Sequence, residues 1–154
     1  DVDELLNSVR DRFALRAADQ RVELSVVETG RVSLVADPLR LEQALGNLVD
    51  NALRHGGRRI ELQGESVGDS IALHVRDDGP GFPEAFIASA FQRFTRADTA
   101  RGRGGAGLGL AIVAAIALAH GGAVAARNRR GGGADVSIRL PAAPPQGGVA
   151  SPAA

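Results

Sequence analysis

The chain has 154 residues, 44% of them hydrophobic, which suffices for one core and is too short to divide comfortably into two. Eighteen basic and eighteen acidic residues cancel, so there is no global field of the kind that holds nucleic acid or anionic membrane, and no nucleic-acid partner is expected. Without cysteine there is neither a disulfide framework nor a thiolate metal site, and three widely spaced histidines make no zinc cluster.

Asp3 to Ala18 carries apolar residues at Leu5, Leu6, Val9, Phe13 and Ala17, close to helical spacing, whereas Val22, Leu24 and Val26 alternate as in a half-buried strand. A second short strand is expected over Val32–Val35, after the Thr29-Gly30 turn. Asp37-Pro38 supplies an N-cap and a first helical residue, and the helix it opens should run to about Arg54 before Gly56-Gly57 stops it. Strands follow near Arg59–Glu65 and Ser70–Arg76, joined as a hairpin by Gly68-Asp69.

Asp77 to Phe82 is a Gly/Pro-rich loop, and apart from a short helix near Glu84–Phe91 no element is predicted before Gly105. A connection this long in a compact domain reads as a lid, here about 83–104, and its Gly and Arg content predicts mobility without ligand. The most apolar stretch, Ala106 to Ala119, falls short of the roughly 20 residues that span a bilayer and reads as a buried helix ending at Gly121-Gly122. Strands at Ala123–Arg127 and Ala134–Leu140 flank Gly131-Gly132-Gly133. From Pro141 the composition collapses to Ala, Pro, Gly, Gln and Ser, so the tail 142–154 is expected to be disordered and 1–141 to be the domain. Nothing near Asp1 resembles a signal peptide, and the chain reads as cut from a longer protein.

Three segments carry chemistry. On the Leu39–Arg54 helix, Asn47, Asn51 and Arg54 are spaced by four and three and share a face that the apolar Leu41, Leu45, Leu48 and Ala52 do not occupy. Two carboxamides and a guanidinium suit Mg²⁺ and polyphosphate, and they equally suit a solvated polar face. In Asp77-Asp78-Gly79-Pro80-Gly81-Phe82 an acid at a strand exit can accept a hydrogen bond from an exocyclic amine, and glycines let backbone lie against a flat ring. The same residues also make a plain turn. The run Gly102-Arg103-Gly104-Gly105-Ala106-Gly107-Leu108-Gly109-Leu110 leads into a helix and offers backbone N–H groups to anions. Gly102, Gly104 and Gly107 satisfy G-x-G-x-x-G, yet Asp98-Thr99-Ala100-Arg101 is no strand, so the dinucleotide fingerprint fails on context; a P-loop is excluded because the chain has no lysine.

In this order and spacing the segments resemble the histidine-kinase branch of the gyrase, chaperone, histidine-kinase and mismatch-repair ATPase superfamily. Leu45 to His55 looks like its N box, Asp77 to Phe82 its G1 box, Phe91-Gln92-Arg93-Phe94 its F box, and Gly105 to Leu110 its G2 box; the similarity continues through His120-Gly121-Gly122 to Arg139-Leu140-Pro141. The resemblance implies an α/β two-layer sandwich, a mixed sheet of about five strands under three helices, with ATP between helices and lid. It implies that Asn51 coordinates Mg²⁺ with help from Asn47, that Arg54 contacts phosphate, and that Asp77 receives the adenine amine. Gly79, Gly81, Phe82 and His55 would shape the base pocket, and Gly105, Gly107, Leu108 and Gly109 would accompany the phosphates. Arg93 and Arg96 would reach the γ-phosphate from the lid, with Phe91 and Phe94 anchoring it or simply packing in the core. His55 stands where Tyr is frequent, Asp78 where Asn is usual, and Phe82 where an aliphatic residue is common.

ATP-hydrolysing members of the superfamily place Glu at the first N-box position. An amide at Asn47 cannot act as general base, which favours a kinase. His55, His74 and His120 lack the setting of family acceptors and are expected to be structural. The acceptor would then lie on a dimeric helical phosphoacceptor domain upstream of Asp1, with a response regulator downstream. The resemblance further implies a monomeric isolated domain, cytoplasmic in a kinase anchored in the inner membrane. The alternatives are a serine kinase of the anti-sigma-factor type and a non-catalytic nucleotide-binding module.

Overall fold

The computed structural model describes residues 1–89 and 106–142. Residues 90–105, which take in most of the expected lid with Phe91, Arg93, Phe94 and Arg96 and also Gly105, and the tail from Ala143 lie outside the described residues.

Helix α1 (Val2–Asp19) begins where the Asp1 carboxylate accepts the Glu4 N–H at 3.1 Å, and it buries Val2, Leu6, Val9, Phe13 and Ala17. Strand β1 (Glu23–Val27) follows. Helix α2 (Pro38–His55) starts as its sequence dictates: Asp37 Oδ1 accepts from Leu39 N at 3.0 Å and Arg40 N at 3.3 Å, and Pro38 occupies the first turn. Strands β2 (Arg59–Val67) and β3 (Ser70–Asp77) form the expected hairpin around Gly68-Asp69, with Val67 paired to Ser70. After the short α3 (Glu84–Ile87) come α4 (Ala106–Ala119), β4 (Ala123–Asn128) and β5 (Ala134–Pro141). At the end of α4, Gly122 N reaches Ala117 O at 2.8 Å while Gly121 takes φ +73°, the glycine C-cap read from the sequence.

The sheet order is β1-β2-β3-β5-β4, with β1 and β2 parallel and the other pairs antiparallel, so it is mixed. Helices α1, α2 and α4 pack against it around one core in which Leu6, Leu45, Leu62, Leu73, Val113 and Ile138 are all fully buried. The expected two-layer sandwich of five strands is therefore what the chain forms.

One expected element is absent. Val32–Val35 is not a strand; Val32, Leu34 and Ala36 do lean on the core, but backbone pairing there is limited to Val2 N with Val32 O at 3.0 Å and Val32 N with Gly30 O at 2.8 Å. Among the described residues no neighbouring strand completes a ladder there. Pro141, the last residue of the expected domain, ends β5 opposite Ser70, a ladder end that tolerates the missing N–H, and Ala142 N bonds Asp69 O at 2.8 Å.

On the outer face of the sheet, His74 Nδ1 pairs with Asp135 Oδ1 at 2.8 Å, and Arg76 and Arg127 both reach Asp135 Oδ2. Burial pushes the Asp135 carboxyl up, but hydrogen bonding and charge from His74, then Arg127 and Arg76, outweigh it and hold the group below the usual carboxylate range. The folded-state value lies below the unfolded one, so the stabilisation is present above about pH 4 and lost as pH falls further. Urea unfolding between pH 5 and pH 2.5 should show this loss in the wild type and a flatter profile in Asp135→Asn. Parallel profiles would exclude Asp135 as its source.

Candidate functional site

A cleft of about 310 Å³ opens between the C-terminal half of α2, the β3–α3 loop and the start of β5. Asn51, His55, Asp77, Gly81, Phe82 and Phe86 line it, with Pro80, Pro83 and Ala134. Its walls are largely apolar, and a buried carboxylate and a buried carboxamide interrupt them.

Asp77 ends β3, opposite Ile60 on β2, and is 8% exposed. Its Oδ1 accepts the Gly79 N–H at 2.9 Å and the Ala134 N–H at 3.4 Å, while Oδ2 accepts nothing from the described residues. One carboxylate oxygen is thus fixed by backbone and the other is left for a ligand. On the opposite side Asn51 is 9% exposed, and its amide makes no hydrogen bond among the described residues. Phe82 and Phe86 stack with ring centres 5.5 Å apart and close the apolar side.

The expected site residues divide into those the fold gathers and those it does not. Asn51, His55, Asp77, Gly81 and Phe82 share the cleft. Gly79 stands beside it, its backbone so close to Gly56-Gly57 that a Cβ would come within 2.7 Å of both. Asn47 lies one turn back from Asn51 and faces Gly109, whose added Cβ would sit 3.9 Å from the Asn47 Cβ. Gly107 belongs with Leu108 to the first turns of α4. Arg54 does not line the cleft; it is 52% exposed and its Nε donates to Asp50 Oδ2 at 3.1 Å. Helical geometry explains the split: Asn51 is turned about 40° from Asn47 toward the His55 side and Arg54 about 20° the other way.

Asp78, adjacent to the acid of the cleft, is committed elsewhere. Its Oδ1 accepts the backbone N–H of Arg59 at 2.9 Å and of Arg58 at 2.8 Å, and the Arg59 bond foremost holds its carboxyl below the usual range. His120 is also engaged: its Nε2 accepts Asp37 N–H at 3.1 Å, so Nδ1 carries the proton and donates to Ile116 O at 2.8 Å, tying the start of α2 to the end of α4.

Sequence reasoning did not single out Phe86, Pro80, Pro83 and Ala134. The two prolines and Phe86 stand in or just after a motif already noted, whereas Ala134 reaches the cleft only through the register of β5, which no local pattern reveals.

Comparison with known proteins assigns this geometry. Residues 36–144 match the family described as histidine kinase-, DNA gyrase B-, and HSP90-like ATPase. The chain is 41% identical over 137 residues to the sensor histidine kinase component HK1 of Mycobacterium tuberculosis, covering 89% of this chain and 79% of that protein. It is 43% identical over 142 residues to the sensor histidine kinase GtrS of Pseudomonas aeruginosa, covering 92% of this chain and only 28% of GtrS. Among solved structures, full-length ShkA in complex with AMPPNP superposes with a TM-score of 0.81 at 31% identity, over 94% of this chain and 31% of ShkA. The catalytic domain of histidine kinase ThkA gives 0.79 at 26% identity, over 94% of this chain and 96% of that domain. With a family match over most of its length and sensor kinases among its relatives, the chain belongs to the histidine kinase-, DNA gyrase B- and HSP90-like ATPases, as an ATP-binding catalytic domain of the sensor histidine kinase type.

Proposed function

We propose that the domain binds ATP with Mg²⁺ in the Asp77 cleft and passes the γ-phosphoryl group to a histidine on a separate, dimeric helical phosphoacceptor domain of the same kinase, upstream of a response regulator. The observation that carries this reading is that Asp77 and Asn51, far apart in sequence, line one cleft, each with a ligating oxygen that no described residue takes up.

In this reading Asp77 Oδ2 accepts the adenine amine, Gly79 and Gly81 keep the loop close to the ring, and Phe82 and His55 bound it. Asn51 and Asn47 present amide oxygens of the kind Mg²⁺ accepts. Among the described residues no group of three or more His, Asp or Glu side chains suits a metal, which fits an ion held largely by nucleotide phosphates. When bound, Mg²⁺ would neutralise charge developing on the phosphates. Arg54, attached to Asp50 through Nε, keeps its terminal nitrogens for phosphate; Gly107 and Gly109 beside Leu108 in the first turns of α4, together with Gly105 outside the described residues, would supply backbone N–H groups. Arg93 and Arg96 approach from the 83–104 lid. The bond between γ-phosphorus and the bridging oxygen breaks, ADP leaves, and a phosphorus–nitrogen bond forms on the acceptor. The amide of Asn47 cannot act as general base, so water should attack slowly and the γ-phosphoryl stays available to the histidine.

None of the described helices is long and apolar enough to cross a membrane. We read the whole kinase as anchored in the inner membrane, with this domain cytoplasmic, monomeric when isolated and spanning 1–141. The test is to incubate the domain with Mg²⁺ and ATP radiolabelled at the γ-phosphate, with calorimetry in parallel. Binding without self-labelling is expected. Stable label on this chain would place the acceptor within it and overturn the separate-domain reading.

A further inference from the structure

We propose that the β4–β5 hairpin sets the geometry of the base-side wall of the cleft, with Asn128 as the positioning residue acting through Phe82. The β3–α3 loop carries the acid and the aromatic ring that would face the base, yet residues 78–83 have no ladder or helix of their own. Asp78 is held by Arg58 and Arg59 at the start of β2, and the Phe82 end is held by the far end of the chain. Asn128, the last residue of β4, accepts Phe82 N–H on Oδ1 at 2.8 Å and donates from Nδ2 to Phe82 O at 2.8 Å, across 46 residues. One side-chain amide thus satisfies both backbone groups of Phe82 as a neighbouring strand would. Next to it, Arg129 Nη1 donates to Asp77 O at 3.1 Å, across 52 residues.

The loop is therefore tied at both functional ends, Asp77 and Phe82, to one hairpin, and that hairpin also supplies Ala134 to the cleft opposite Asn128 in register. The fit against Asn128 leaves no slack: Gly81 has φ +76°, and a Cβ there would come within 2.6 Å of Asn128 Oδ1. Without the amide, Phe82 keeps its packing on Phe86 but loses what sets its distance from the Asp77 carboxylate. The consequence is specific to the base. The phosphate contacts proposed above come from α2, α4 and the lid, whereas the Asn128 side chain hydrogen-bonds only to Phe82 among the described residues.

This inference rests on the reading that adenine occupies the Asp77 side of the cleft, and the experiment separates the two. Binding of ATP and of adenosine would be measured by competition against a fluorescent ATP analogue for the wild type, Asn128→Ala and Asn128→Asp, at a temperature where unfolding scans show all three folded. Losing two hydrogen bonds should weaken ATP by about tenfold in Asn128→Ala, and adenosine by the same factor. Asn128→Asp retains the acceptor but sets a carboxylate against the Phe82 carbonyl, so it should bind no better than Asn128→Ala. Wild-type protein that binds neither ligand would overturn the base-side reading itself. Wild-type-like affinity in either variant, or a loss for ATP that adenosine does not share, would overturn the positioning role while leaving that reading intact.

Discussion

Asp77→Asn is expected to weaken ATP binding by about 10- to 100-fold, corresponding to about 1–3 kcal/mol for leaving a buried polar group badly paired, and to erase the preference for adenine over guanine. Asp77 Oδ1 is already taken by Gly79 N–H and Ala134 N–H, so a ligand meets Oδ2. Adenine presents an amine donor there; guanine presents a carbonyl, which a carboxylate repels and to which an amide N–H donates. The substitution keeps an acceptor for the two backbone donors and nearly preserves volume, so the melting temperature should move by no more than a few degrees. Calorimetry with ATP and GTP on both proteins decides the matter. An unchanged ATP affinity would remove Asp77 from base recognition, whereas a joint loss of affinity and fold would show that the acid serves the sheet.

The parts of this site that could be read in advance are those set by local rules. Asp37-Pro38 at the head of α2, Gly121-Gly122 at the foot of α4 and the Gly68-Asp69 hairpin each satisfy backbone groups within a few residues, so their chemistry is visible in the letters. The pairing of Asn51 with Asp77 was legible as a resemblance between motifs, and the fold supplies its physical basis by ending β3 beside α2. What stayed hidden depends on register between distant segments. Asn128, Arg129 and Ala134 reach the Asp77–Phe82 loop only because β5 lies between β3 and β4, an arrangement that no window of 10 or so residues encodes. The spacing of four and three within α2 did not reveal that Asn51 is buried against the cleft while Arg54 stays half-exposed on Asp50. The strand expected at Val32–Val35 is absent because among the described residues no neighbouring strand completes a ladder there, although Val32 and Leu34 do lean on the core.

Gly133→Ala should be the most damaging single substitution in the hairpin, costing about 3 kcal/mol or more, because two independent penalties coincide there. Gly133 has φ +95°, and a Cβ would lie 1.9 Å from the Asp77 carbonyl oxygen and 2.9 Å from the Asp78 Cα. Both neighbours are backbone, at the end of a strand paired on both sides, so neither can yield as a side chain would. Gly131 is the natural control: it has φ +87° and nothing within 4 Å of its added Cβ, so Gly131→Ala bears the conformational strain alone, about 1–2 kcal/mol. Urea unfolding of the two variants separates the terms, and equal losses would show that close approach to Asp77 contributes nothing. The same contact links stability to the site. Any shift that relieves Gly133→Ala moves β5 away from β3 at the point where Ala134 N–H meets the Asp77 carboxylate and Arg129 meets its carbonyl. ATP affinity should therefore fall in Gly133→Ala even at temperatures where the protein remains folded, and stay near wild type in Gly131→Ala.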